Sequence, residues 1–195
     1  MAAPLGVRQI EALPVVPYGE LRPRLKSGDL LFTSGDYLVS ELIRKFTDSP
    51  WSHVGIVFRV DAIDRVLLLE SVEDMGVRFA PLSKYLTDYE DGKPYRGRIV
   101  IARCARIDRK SLEKIAAFGT DQLTRAYDRQ EVLDIAARIA LGKPRPRRDQ
   151  AYICSELVHE CFARAGRAFA YDRRGFISPE NIWRDARVSL VGRIL

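Results

Sequence analysis

The chain has 195 residues, 47% hydrophobic and 30% charged, which describes a globular protein long enough to bury a core and excludes a disordered or fibrous one. Its 32 Lys and Arg against 26 Asp and Glu leave a net charge of +6, a mild basicity that suits anionic partners without choosing among them. Three cysteines with no dense spacing pattern make a disulfide scaffold a poor fit and a reducing compartment the easier one.

Residues 1–25 read as an irregular arm with four prolines. The arm shows no basic cluster ahead of an apolar stretch, so no signal peptide is visible, and no run approaches the roughly 18 apolar residues of a spanning helix. A cytoplasmic location without a transmembrane segment is therefore expected. Ser27, Gly28 and Asp29 form a turn before a short strand, Leu30 to Thr33. In "DYLVSELIRKFT" the apolar residues at 38, 39, 42, 43 and 46 share one helical face, which Asp48, Ser49 and Pro50 terminate. "WSHVGIVFRVDAIDRVLLLESV" reads as a hairpin over roughly 52–60 and 64–71.

"VRFAPLSKYL" follows as a strand and turn, and "RIVIARCARI" as a central strand. From Ser111, a plausible N-cap, the period becomes helical. A second helix, "RQEVLDIAARIALG", ends at Gly142 with Pro144 beyond it. The basic loop "GKPRPRRDQ" leads to a third helix, Cys154 to Ala165, and "FISPENIW" lies in a closing loop and short strand. Strands clustered ahead of helices predict an α+β fold, with residues 26–195 forming one domain.

The chemistry centres on "DQAYICSELVHECF", where Cys154 is open to three readings: buried hydrophobe, metal ligand or nucleophile. It sits where a helix begins, and there the unpaired N–H groups and the macrodipole favour a thiolate and could also form an oxyanion hole. His159 lies five residues on, about 140° around the helix from Cys154, and is expected on the outer flank. Cys161, seven residues on, is expected in the core. His53 is then the only other imidazole. A hairpin turn centred between Asp61 and Ala62 puts His53 directly opposite Glu70, a carboxylate able to fix the tautomer of the ring and stabilise its charge. On these grounds alone a structural histidine remains an alternative.

The segments "GDLL", "SHVGIV", "LLLES", "AYD", "YICSELV" and "ISPENIW", in that order, resemble the permuted papain-like amidases, the YiiX/YaeF-like branch of the NlpC-type superfamily, related to the lecithin–retinol acyltransferase group. The resemblance spans about residues 26–185. It implies a circularly permuted papain-like fold, an antiparallel sheet or small barrel packed against a helix bundle that carries the nucleophile. It also implies Cys154 as nucleophile, His53 as base and Glu70 as orienting acid, where the acyltransferase group has a second histidine. Tyr127 and Asp128 match the family's "YD" and are expected to support the cysteine helix. Tyr152, Ser155 and Trp51 are candidates for the oxyanion or substrate pocket.

The implied activity is a cysteine hydrolase cleaving a peptide or cell-wall-type amide through an acyl-thioenzyme. The alternatives are a lipid-directed thiol acyltransferase or esterase of the same fold, or a catalytically inactive binding protein. Substrates are expected to be small peptides, amides or lipid acyl groups, with Arg145, Arg147 and Arg148 available to an anionic group. No cofactor is expected. A metal site is disfavoured because the Cys and His residues lack closely spaced ligand pairs, and a nucleic-acid partner because no aromatic-basic stripe is present.

Overall fold

Six apolar runs pair into one antiparallel sheet: β1 (Asp29–Gly35), β2 (His53–Val60), β3 (Arg65–Val72), β4 (Gly76–Pro81), β5 (Gly97–Cys104) and β6 (Val188–Arg193). Their order across the sheet is β4-β3-β2-β1-β5-β6. The structure is a computed structural model, and the residues described are 7–35, 49–127, 153–173 and 175–195. The expected helices at 36–47 and 129–142, the 143–148 loop with Arg145, Arg147 and Arg148, and residues Asp128 and Tyr152 lie outside them.

Side chains alternate across a strand, and here both faces of the sheet are covered. Leu30 and Phe32 of β1 enter one core with Val54, Ile56, Leu69, Val100 and Ala102. Leu31, between them, enters a second core with Val57, Val66, Leu68, Ile99 and Ile101. Two-sided burial explains why these strands read as near-continuous apolar runs and not as a strict polar alternation.

The first core is closed by α4 (Arg109–Asp121), α5 (Cys154–Arg164) and α6 (Pro179–Trp183), following α1 (Val7–Glu11), α2 (Tyr18–Leu21) and α3 (Leu82–Thr87) in the chain. Helix α5 packs on β2, β3, α4 and α6. The second core is closed by Leu21, Leu25, Leu82, Tyr85, Tyr95 and Ile194. From residue 7 onward the arm is thus more ordered than the sequence suggests. Ile10 and Leu21 are buried, and Val15 bridges to Arg193 of β6. Sparse apolar residues conceal this, because the arm packs on surfaces made elsewhere in the chain.

Three further boundaries differ from expectation. Helix α4 starts at Arg109 because Asp108 is its cap, accepting from the Ser111 backbone N–H at 2.7 Å; Ser111 is the third helical residue. "ISPENIW" contains a helix, opened by a capping box in which Ser178 and Asn181 each bond the other's backbone N–H at 3.2 and 2.8 Å. The β2–β3 register is shifted by two residues, pairing Ile56 with Leu69 and Val57 with Leu68. A short 3-10 turn, Asp61–Ile63, followed by left-handed Asp64 (φ 47°), lengthens the loop and moves its centre. Side-chain orientation repeats every two residues, so this slip leaves His53 and Glu70 on the same face.

Candidate active site

Helix α5 begins without a side-chain cap. Ile153, the N-cap residue, is extended and offers no side-chain oxygen to the first-turn N–H groups. Cys154 is the first helical residue and is 4% exposed. Behind it Leu157, Val158, Cys161 and Phe162 are buried in the first core. That apolar row pins the start of the helix against β2.

His53 opens β2, paired with Thr33 of β1. The segment leading into it is held from the far end of the chain. Ser49 Oγ donates to Glu180 Oε2 at 2.8 Å and accepts from the Trp51 backbone N–H at 2.9 Å. Trp51 is fully buried and packs on Phe32 and Trp183, with ring centroids at 5.5 and 4.8 Å. Its ring therefore belongs to the core behind the site and has no surface to offer a substrate.

His53 Nε2 donates to Glu70 Oε2 at 2.9 Å, and the imidazole is 15% exposed while the carboxylate is fully buried. The other ring nitrogen, Nδ1, is left for Cys154, whose thiolate favours the charged form of the ring. Because of the register shift the contact with Glu70 runs diagonally across the two strands. The side chain between them is absent: Gly55 lies two residues from His53, and a Cβ there would come within 2.8 Å of Leu68 Cδ1 and 3.0 Å of the Leu69 carbonyl oxygen.

Glu70 has two further partners. Arg78 Nε donates to Oε1 at 2.9 Å, a second guanidinium nitrogen lies 2.9 Å from the same oxygen, and Tyr85 Oη donates to Oε2. Burial opposes ionisation of Glu70, but these partners, His53 foremost, hold its carboxyl below the ordinary value. Burial likewise disfavours charged His53, yet the adjoining thiolate and carboxylate push it up to about 10. Cys154 is held below its ordinary value against the effect of burial, by the His53 charge and hydrogen bond and by the backbone N–H groups of Val54 and Ser155. The arrangement favours a thiolate–imidazolium pair backed by a carboxylate.

The other cysteines differ. Burial raises Cys104, and it pushes Cys161 in the core up to about 12. Ser155 donates its hydroxyl to the Ile177 carbonyl at 2.8 Å, so only its backbone faces the sulfur. His159 is buried, contrary to its expected place on the outer flank, with its ring edge-on to Tyr171 at 4.6 Å. The segment after α5 covers a helix face that the helical period alone would leave to solvent.

Sequence reasoning missed Arg78, Tyr85, Ser49 and Glu180. Arg78 carried a signal, since it stands opposite Glu70 in the β3–β4 pairing and opposite charges across a ladder attract. Tyr85 carried none, because α3 delivers it from outside the sheet.

An antiparallel sheet whose histidine strand precedes a cysteine-bearing helix along the chain is the α+β fold of a permuted papain-like protein. The chain belongs to the permuted papain-like amidase enzyme family (YaeF/YiiX, C92 family), which matches residues 24–176. Among solved structures it is similar to the metalloprotein yiiX from Escherichia coli O157:H7, with a TM-score of 0.63 and 18% identity over 86% of this chain and 97% of that one. No curated protein matches it closely enough to count as a relative. Among the described residues, no three His, Cys, Asp or Glu side chains gather as a metal site requires. No helix among them is long and apolar enough to cross a membrane.

Proposed function

We propose that the protein is a cysteine hydrolase that cleaves an amide bond of a small peptide or amino-acid-type substrate through an acyl-thioenzyme. The observation that carries this reading is the Cys154–His53–Glu70 alignment at the uncapped start of α5. The Cys154 thiolate attacks the carbonyl carbon, forming a C–S bond and a tetrahedral oxyanion that the first-turn N–H groups stabilise. His53 Nδ1 delivers its proton to the leaving nitrogen as the C–N bond breaks. Water then attacks the thioester, His53 takes its proton, and the acid and thiolate are released.

Membership of an amidase family supports hydrolysis, and the free state of Cys104, Cys154 and Cys161 suits the reducing cytoplasm that forms part of this proposal. The test is iodoacetamide labelling at neutral pH, followed residue by residue by mass spectrometry. Cys154 is expected to react first, and His53→Ala to slow it. Labelling of Cys154 no faster than Cys104, or a rate indifferent to His53→Ala, sinks the mechanism.

A further inference from the structure

We propose that Arg78 and Tyr85 are positioning residues for the Cys154–His53 pair, acting through the Glu70 carboxylate that both of them hold. The inference rests on the catalytic roles proposed above and extends them by two residues.

A fully buried carboxylate has two ways to fail an imidazole. It can take up a proton and go neutral, or it can rotate so that its lone pairs aim elsewhere. The two partners divide these tasks. Arg78, on the strand beside Glu70, places two nitrogens at 2.9 Å from Oε1, so a guanidinium charge opposes protonation of the carboxyl. Tyr85, 1% exposed on α3, donates to Oε2, the oxygen that His53 also occupies. With Oε1 held from β4 and Oε2 from α3, the carboxylate cannot turn without losing a hydrogen bond.

Tyr85 is itself fixed. Its ring packs on Tyr89 and Tyr95 at centroid distances of 4.7 and 5.5 Å, and Tyr95 Oη is 2.9 Å from Thr33 Oγ1, beside His53 on the neighbouring strand. The titratable and charged groups facing Glu70 are His53 from β2, Arg78 from β4 and Tyr85 from α3; Cys154 of α5 faces it only through His53, and Tyr89 acts on Arg78 and Tyr85. Removing either donor lets Glu70 take up a proton at a higher pH, and the Cys154 thiolate, paired with an imidazolium that no charge then backs, is lost there first.

The test is the rate of Cys154 alkylation by iodoacetamide from pH 4 to 9 in wild type, Tyr85→Phe, Arg78→Gln, Arg78→Lys and His53→Ala. Tyr85→Phe and Arg78→Gln are expected to move the acid limb up by about half to one pH unit. The rate on that limb then falls roughly three- to tenfold, with little change at pH 8. Arg78→Lys, which keeps the charge, should recover part of the shift. A merely structural role predicts lower thermal stability with an unmoved limb, and that result overturns the inference. If Arg78→Gln does not fold, Tyr85→Phe decides alone, since it keeps the packed ring. A limb unmoved in both variants but altered by His53→Ala overturns only this inference; a limb indifferent to His53→Ala overturns the proposed function as well.

Discussion

Replacing Glu70 by glutamine changes one oxygen to an amide nitrogen and leaves the shape intact. Arg78 can only donate, and it holds Oε1 through two nitrogens, so the amide oxygen settles there and the NH2 group faces His53 and Tyr85. His53 Nε2 must then accept a hydrogen bond, and its proton moves to Nδ1, the nitrogen facing Cys154. In that tautomer His53 cannot take the thiol proton. Without its charged partner, buried Cys154 returns to at least its ordinary value of 9.0, where about one thiol in a hundred is ionised at pH 7. The alkylation rate at pH 7 is therefore expected to fall, by about a hundredfold or more relative to a fully ionised thiol. Turnover of an amide should fall further, by about four orders of magnitude where an orienting acid becomes its amide. Arg78 loses its carboxylate, but it is 26% exposed and water shares its charge, so the stability cost is about 2–3 kcal/mol, below the range for a fully buried pair. That corresponds to roughly 5–10 °C in Tm. Wild-type alkylation at pH 7 in Glu70→Gln, in a protein that still needs His53, would refute the reasoning.

The stability of the pair has a particular pH signature. His53 rises from 6.5 to about 10 on folding, so its contribution is complete below 6.5 and is lost as pH climbs through about 10. Cys154 is lowered from 9.0, so its contribution is present above 9.0 and is lost as pH falls through the folded value. Between those unfolded values, the folded pair and the unfolded pair each hold one proton. The Tm difference between wild type and the Cys154→Ala/His53→Ala double variant should then be flat from pH 6.5 to 9.0 and shrink on either side; a steady slope across that window contradicts the ion pair. Ser178→Ala removes the α6 cap and should cost about 1 kcal/mol in urea unfolding, and no change in midpoint would show the capping box to be idle. Gly119→Ala sets two effects against each other. Alanine gains about 1 kcal/mol of helix propensity, but its Cβ would collide with Leu69 Cδ2 and meet Cys161 Sγ at 3.3 Å. Leu69 is fully buried, so overpacking of about 1–3 kcal/mol should win and Tm should fall; a rise would mean that the core yields there.

Much of the site was legible because it depends on local periodicity. The start of a helix at Cys154 followed from the apolar spacing of Leu157, Val158, Cys161 and Phe162, all of which are buried. The common face of His53 and Glu70 survived a two-residue error in register because the side-chain repeat of a strand is also two. The short segments from "GDLL" to "ISPENIW", in their order along the chain, were enough to suggest the family.

Long-range placement was not legible. Nothing near Glu70 in the chain announces Tyr85, and nothing near Trp51 announces Trp183, yet these contacts set how the carboxylate is held and where the segment leading into His53 lies. His159 went wrong for the same reason, since helical phase indicates which side of α5 a residue occupies but not what later covers that side. The sequence by itself determined which elements carry Cys154, His53 and Glu70, because propensity and period act over a few residues. Only the tertiary structure decided their charges and orientations. Those depend on burial and on partners brought together from β1, β4, α3 and the 178–183 segment, whose separation in the chain bears no relation to their distance in the fold.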